Sequence, residues 1–171
     1  MLLVAWFALF ADTAGVVHNQ AEWANRKAVV LIFIATDCPV SNVYTPEMNR
    51  IRRDYADRGV AVYAVHSDPS EDPAAVRRHA SEFGYAFPVL LDPKQLLPKQ
   101  TGARVTPEAA ILSPQGKVLY LGRIDNRVED FGKKRLEPTQ HDLRDALDTV
   151  LAGKAIPNPK TRAIGCAIPT P

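Results

Sequence analysis

Apolar residues in this chain fall into short unbroken runs, separated by stretches with helical spacing. Ala28 to Ala35 (AVVLIFIA) is continuously apolar and rich in β-branched residues, the pattern of a strand covered on both faces, as in a parallel sheet. Val40 to Arg58 then reads as a helix, with Val43, Met48, Ile51 and Tyr55 on one side and Asn49, Arg52, Arg53 and Asp57 on the other. Pro39 stands where a first-turn proline is tolerated, Gly59 ends the element, and Pro46 lies inside it, where it predicts a kink. Val60 to His66 predicts a second strand. Asp72-Pro73 opens a helix as N-cap and first-turn proline, and Gly84 stops it. Phe87 to Leu91 predicts a third strand, followed by a weak helix over Gln95 to Gln100. Ala109–Leu112 and Val118–Leu121 flank the turn Ser113-Pro114-Gln115-Gly116 and predict an antiparallel hairpin. Thr139 with Asp142 resembles a capping box for a last helix carrying Leu143, Ala146, Leu147 and Val150, with Gly153 at its end.

This order of elements predicts an α/β fold, with parallel crossovers in the first half and antiparallel strands added by the hairpin. After Gly153 the chain carries Pro157, Pro159, Pro169 and Pro171, which predicts an extended tail over 153–171. At the other end, Leu2 to Ala11 is ten apolar residues long, too short to span a bilayer. It fits the apolar part of a secretory signal, with Thr13-Ala14-Gly15 as small residues for cleavage, but no Lys or Arg precedes it. A buried strand is the other reading. The expected division is therefore an N-terminal segment over 1–15, one domain over 16–152, and the tail.

Composition narrows the function classes. The 171 residues are 46% apolar and 23% charged, close to the globular average, so disordered and fibrous classes are excluded. The net charge of +2 is too small and too evenly spread to predict a nucleic-acid partner. Two cysteines, Cys38 and Cys166, cannot form a dense disulfide scaffold, and no C-x-x-C is present to hold zinc.

Cys38 is the informative residue. It falls between the carboxyl end of the first strand and the start of a helix, where α/β sheets place their sites. The unpaired N–H groups and partial positive charge of a helix start stabilise a thiolate, which is the reactive form. A free cysteine is also a common small buried hydrophobe. Asp37 beside it opposes the thiolate unless its carboxylate points to solvent or pairs, and it is also a candidate helix cap.

Phe33-Ile34-Ala35-Thr36-Asp37-Cys38-Pro39-Val40-Ser41 resembles the active-site turn of thioredoxin-fold redoxins of the redoxin and AhpC/TSA superfamily, in particular the TlpA-like branch. Pro46, eight residues after the cysteine, matches the kink proline of thioredoxins. Thr106-Pro107 before a hairpin strand matches the cis-proline loop. The resemblance covers Ala28 to Ala152, and Gly122-Arg123-Ile124-Asp125 with Gly165-Cys166-Ala167-Ile168 resembles a subfamily described as peroxiredoxin-like or thiol-disulfide isomerase. It implies a thioredoxin-like three-layer sandwich with a mixed central sheet flanked by helices. It also implies a thiol-disulfide oxidoreductase that needs no organic cofactor and no metal.

Three departures qualify this. Ser41 replaces the second cysteine of the C-x-x-C pair, and serine cannot release a mixed disulfide. Asp37 replaces the usual Trp. Against peroxiredoxins, with Pro-x-x-x-Thr-x-x-Cys, the chain has Leu31 and Ala35 at the Pro and Thr positions, and Glu108 where the activating arginine is expected. A resolving thiol must therefore come from elsewhere. The fourteen steps from Ala152 to Cys166 extend to about 46 Å, enough to bring Cys166 back to Cys38. A bond between them would close most of the chain and stabilise by about 5 kcal/mol in the chain-entropy description. Cys166 as resolving thiol, as half of a permanent staple, and as a link to a partner chain are the three readings.

By the resemblance, Pro39, Ser41, Thr106 and Pro107 position substrate, and Pro107 leaves a backbone edge for docking an extended peptide. His66 ends the second strand near Cys38, as acid, base or ligand or as a structural histidine. Asp37, His66 and Glu108 are thus candidate modulators. His18, His79 and His141 read as surface or capping positions, Trp23 as core, and Lys133-Lys134-Arg135 as a solvated run or a docking patch. The expected partners are a protein or small-molecule disulfide or thiol, or a peroxide, plus an external reductant, without nucleic acid or a membrane span. The alternatives to an oxidoreductase are a peroxiredoxin-like thiol peroxidase and a non-catalytic or copper-handling domain. The expected location is extracytoplasmic, with the cytoplasm as the other reading.

Overall fold

The computed structural model describes residues 9–169. A small antiparallel pair, β1 (Phe10–Ala11) and β2 (Val17–His18), is followed by a 3-10 turn at Gln20–Trp23. The main body then runs β3 (Ala28–Ile34), α1 (Pro39–Tyr55), β4 (Val60–His66), α2 (Pro73–Glu82), β5 (Val89–Leu91) and α3 (Leu96–Thr101). It continues with β6 (Val105–Thr106), β7 (Glu108–Leu112), β8 (Val118–Gly122), the short pair β9 (Val128–Asp130) and β10 (Lys133–Lys134), α4 (Asp142–Leu151), and β11 (Cys166–Ala167) in the tail.

Five strands form the central sheet, in the order β5-β4-β3-β7-β8. The pairs β3/β4 and β4/β5 are parallel, whereas β3/β7 and β7/β8 are antiparallel. β3 lies in the middle and every one of its residues is buried. Alternating side chains explain why the whole run is apolar. Val30, Ile32 and Ile34 join Tyr44, Met48 and Ile51 of α1, Val76 of α2, and Leu143 and Leu147 of α4. Val29, Leu31 and Phe33 pack on the opposite face with Phe10, Trp23, Leu97 and Leu121. The result is the three-layer thioredoxin-like sandwich with a mixed sheet that the resemblance implies, with Trp23 in the core.

Caps set the ends of the helices. The Asp72 carboxylate accepts from the Ala74 N–H at 2.9 Å, as its position before Pro73 predicts. α1 passes through Pro46, gives way to a 3-10 turn at Ala56–Arg58, and ends at Gly59 with φ +85°. The capping box at α4 does not form. His141 is the N-cap, and the Thr139 hydroxyl is taken by the Asn126 amide at 2.8 Å. His79 is buried rather than superficial, bonded to Asn42 Oδ1 at 2.8 Å. His18 sits between Asp12 and Glu22, and His141 does stand at a helix start. Lys133 and Arg135 pair with Glu129, and both are exposed.

Of the N-terminal apolar stretch, residues 2–8 lie outside the described residues. Its end packs on the body: Phe10 enters the core, and the Thr13 N–H donates to the Val89 carbonyl at 3.0 Å. No helix among the described residues is long and apolar enough to cross a membrane.

The tail is extended and fastened at two places. Thr161 straddles Leu121 and Gly122, with the Leu121 N–H donating to the Pro159 carbonyl at 2.9 Å and the Thr161 N–H to the Leu121 carbonyl at 3.2 Å. A side chain at Gly122 would overlap Thr161 Oγ1. Further on, β11 pairs antiparallel with β6. That second fastening brings Cys166 to the end of β3.

Candidate functional site

β3 delivers the chain to the sheet's carboxyl edge, and Thr36-Asp37 turns it into α1. Cys38 is the N-cap, with extended φ and ψ, and its sulfur accepts from the Ser41 N–H at 3.4 Å. A cysteine therefore does what a serine or aspartate usually does at a helix start. Two side networks brace the turn. His66 Nε2 pairs with Glu71 at 3.1 Å, and the Thr36 hydroxyl donates to the other oxygen of Glu71. The Asn42 amide donates to the Thr36 carbonyl at 3.2 Å and is held by His79. Burial holds the His66 pKa down, although Glu71 pulls the other way.

The wall opposite Cys38 comes from the loop between β6 and β7. Pairing of Phe33 with Glu108 sets Thr106 and Pro107 beside the end of β3. The Thr106-Pro107 peptide is cis, as the resemblance implies. The Cys38 thiol donates to the Thr106 carbonyl at 3.0 Å. The Glu108 carboxylate is buried and accepts from the Arg104 N–H at 2.7 Å, with the Val105 N–H at 3.4 Å. It fixes the loop from inside.

Cys166 closes the site. Its register against Thr106 sets it beside Cys38, near enough for the two thiols to shift each other's acidity. Both cysteines are free thiols, Cys38 buried and Cys166 partly exposed. Their acidities diverge. Burial pushes the Cys38 thiol up, but its polar neighbours, chiefly Cys166, with Thr106 and the Ser41 N–H, outweigh it and leave it below the ordinary thiol value. The Cys166 thiol is pushed up by burial, by its hydrogen bond to Cys38, and by the charges of Cys38 and Asp37. Cys38 is thus the sulfur that ionises, and Cys166 keeps its proton. Asp37 is exposed at the rim of the site.

Ser41 points inward with no hydrogen-bond partner for its buried Oγ, and the same holds for Thr45 Oγ1 and the Tyr85 hydroxyl. Ser41 and Thr45 lie one turn apart on α1, and both lie close to Tyr85. The fold therefore brings together Cys38, Cys166, Pro39, Ser41, Thr106 and Pro107. Asp37 stays at the rim, His66 sits behind the turn with Glu71, and Glu108 lies under the loop. Reasoning from sequence missed Glu71, Thr45 and Tyr85. Only Tyr85, just after the helix stop at Gly84, stood near a legible signal. Among the described residues no three His, Cys, Asp or Glu side chains gather as a metal cluster would.

Comparison with known proteins agrees with this geometry. The thiol-disulfide oxidoreductase ResA of Halalkalibacterium halodurans is 27% identical over 108 residues, 61% of this chain and 60% of that protein. The chain thus spans well under two thirds of the length of that curated relative. A hypothetical protein of Sinorhizobium meliloti 1021 has a solved structure that matches with a TM-score of 0.81 and 30% identity, over 98% of this chain and 94% of that one. A thiol:disulfide interchange protein of Chlorobium tepidum shares the fold at a TM-score of 0.64 and 18% identity, over 86% and 94% of the two chains. A family model described as Redoxin matches residues 7–136, most of the chain, and with the cysteine-capped helix and cis-proline loop in place this protein belongs to the Redoxin family.

Proposed function

We propose that the protein is a thiol-disulfide oxidoreductase with Cys38 as nucleophile and Cys166 as resolving thiol. The observation that carries this reading is the meeting of the two thiols at the β3–α1 turn, the one in the helix cap held acidic and its neighbour protonated. The Cys38 thiolate attacks one sulfur of a substrate disulfide. The S–S bond breaks, the distal sulfur leaves with the electron pair, and a mixed disulfide forms on Cys38. Cys166 then attacks the Cys38 sulfur and expels the second substrate thiolate, which takes up the proton that Cys166 gives up. The enzyme gains the Cys38–Cys166 disulfide, the substrate gains two electrons, and an external reductant resets the pair. Run backwards, the same steps oxidise a dithiol.

Ser41 takes no electrons in this scheme. Its N–H supports the sulfur, while Pro39 starts the helix and Thr106 with Pro107 lines the substrate side. The peroxidase alternative gains nothing from Glu108, whose carboxylate binds backbone N–H groups where an activating arginine would be expected. Resemblance to oxidoreductases of this kind also supports an extracytoplasmic location. No organic cofactor enters any step.

The test is reaction of the reduced protein with a small disulfide, followed by peptide mapping. A Cys38–Cys166 bond that forms and is reduced again during turnover is the expected result. A bond that resists reduction under turnover conditions identifies a staple instead. Consumption of hydrogen peroxide without disulfide exchange replaces this reading with the peroxidase.

A further inference from the structure

The edge of β6 runs along the substrate side of Cys38, and in this protein it is already occupied. Cys166 pairs with Thr106, and Ala167 with Val105. The Ile168 N–H donates to the Arg104 carbonyl at 2.9 Å, and the Thr106 hydroxyl to the Cys166 carbonyl at 3.4 Å. Gln95, a non-glycine residue at φ +55°, donates from Nε2 to the carbonyls of Ser67 and Pro169 and so clips the tail beyond the strand. Gly165 lies so close to the Thr106 carbonyl that a Cβ there would overlap the oxygen. β6 has no other strand partner among the described residues. With the tail down, Cys38 is 0% exposed.

We propose that Gly165–Ile168 is an intramolecular pseudo-substrate. It holds the docking edge that an external chain must use, and the external substrate is an extended peptide segment of the same form, a cysteine preceded by glycine. Such a segment replaces the tail hydrogen bond for hydrogen bond, as strand addition to a free edge requires. Glycine is needed because no side chain fits between that strand and the Thr106 carbonyl. The inference rests on Cys38 being the nucleophile. It adds that substrate and resolving thiol use one site in turn: the tail leaves, Cys38 exchanges with the substrate disulfide, and the tail returns with Cys166 as the substrate strand departs.

The test uses full-length reduced protein. Gly165→Val forces the tail off the edge, and Ile168→Pro removes the N–H that bonds Arg104. Alkylation of Cys38 by iodoacetamide is read on the peptide containing residue 38, so that Cys166 does not confound it, and circular dichroism checks the fold. Gly165→Val is expected to raise that rate at least about tenfold, since protection in the parent comes from local closure. Ile168→Pro is expected to act in the same direction. Unchanged rates in two folded variants overturn the occlusion. Next, the peptide Ala-Ile-Gly-Cys-Ala-Ile, activated as a thionitrobenzoate mixed disulfide, is expected to react with the Gly165→Val protein several-fold faster than the same peptide with valine in place of its glycine. Equal rates overturn the proposed substrate form. If Cys38 is uncovered and alkylated quickly yet exchanges with no activated disulfide, the occlusion stands and the oxidoreductase reading fails.

Discussion

The two sulfurs meet in one site but are held by opposite means. Cys38 follows a strand whose seven residues are all buried, paired on both sides, and it caps a seventeen-residue helix. Cys166 rides on a two-residue strand in a tail of mostly half-buried or exposed residues. A position built into the core cannot move without disturbing the sheet, whereas a two-residue ladder opens locally at little cost. The lesson is a division of labour. In the proposed scheme the nucleophile stays on the rigid frame, where the Ser41 N–H holds its sulfur, and the resolving thiol comes and goes, adding its own support to the Cys38 thiolate only while docked. A C-x-x-C pair places both sulfurs at one helix start; with Ser41 in the second position, the other thiol of this chain stands on the tail strand instead.

The sharpest break of this comparison is removal of each sulfur. Cys38→Ser is expected to lower disulfide exchange at least about a hundredfold in a small-disulfide assay, because serine is not ionised at neutral pH. Cys166→Ser is expected to retain a first turnover, with the mixed disulfide on Cys38 accumulating in the mass spectrum and steady-state turnover falling about tenfold or more. Equal loss of the first turnover in both variants would abolish the distinction. Adding Ser41→Cys to the Cys166→Ser protein returns a resolving thiol to the rigid side, and recovery of steady turnover is expected.

Stability gives a second contrast. Ile32→Ala removes a fully buried side chain from the centre of β3 and is expected to cost about 2–5 kcal/mol in urea unfolding. Ile168→Ala, on the half-buried tail, is expected to cost below about 1 kcal/mol. The smallest effect is on pH dependence. The ultraviolet absorbance of the Cys38 thiolate should rise with pH through a midpoint below that of an ordinary thiol, because the folded site favours that form. Cys166→Ala deletes one of the hydrogen bonds that favour that form, so the midpoint should move up. A midpoint that moves down instead would mean that Cys166 opposes the thiolate.

Much of this was legible in the amino-acid order, and the reason is locality. β4 spans Val60–His66, as its apolar run predicts, and Asp72-Pro73 caps α2 as expected. Pro39 and Gly59 mark the start and the stop of the α1 unit through short-range sterics. Cys38 was readable for the same reason, since a strand end and a helix start adjoin in sequence. The failures are all long-range. Thr139 has the right spacing for a capping box, but Asn126 offered its hydroxyl a better partner. His79 falls on a helix with an exposed flank, yet Asn42 draws it inward. That the tail could reach Cys38 follows from its length. Which strand it would join, and that Gly165 must be bare to do so, depends on the distant Thr106 carbonyl, which local sequence does not encode.

The clasp at Thr161 has a consequence for timing. Because that residue is fixed against Leu121 and Gly122, an undocked Cys166 swings on a leash of five residues, about 17 Å at full stretch. A tether of that length keeps the wandering thiol at an effective local concentration of order millimolar. Any thiol arriving from solution must reach comparable abundance before it can intercept the mixed disulfide ahead of the chain's own end.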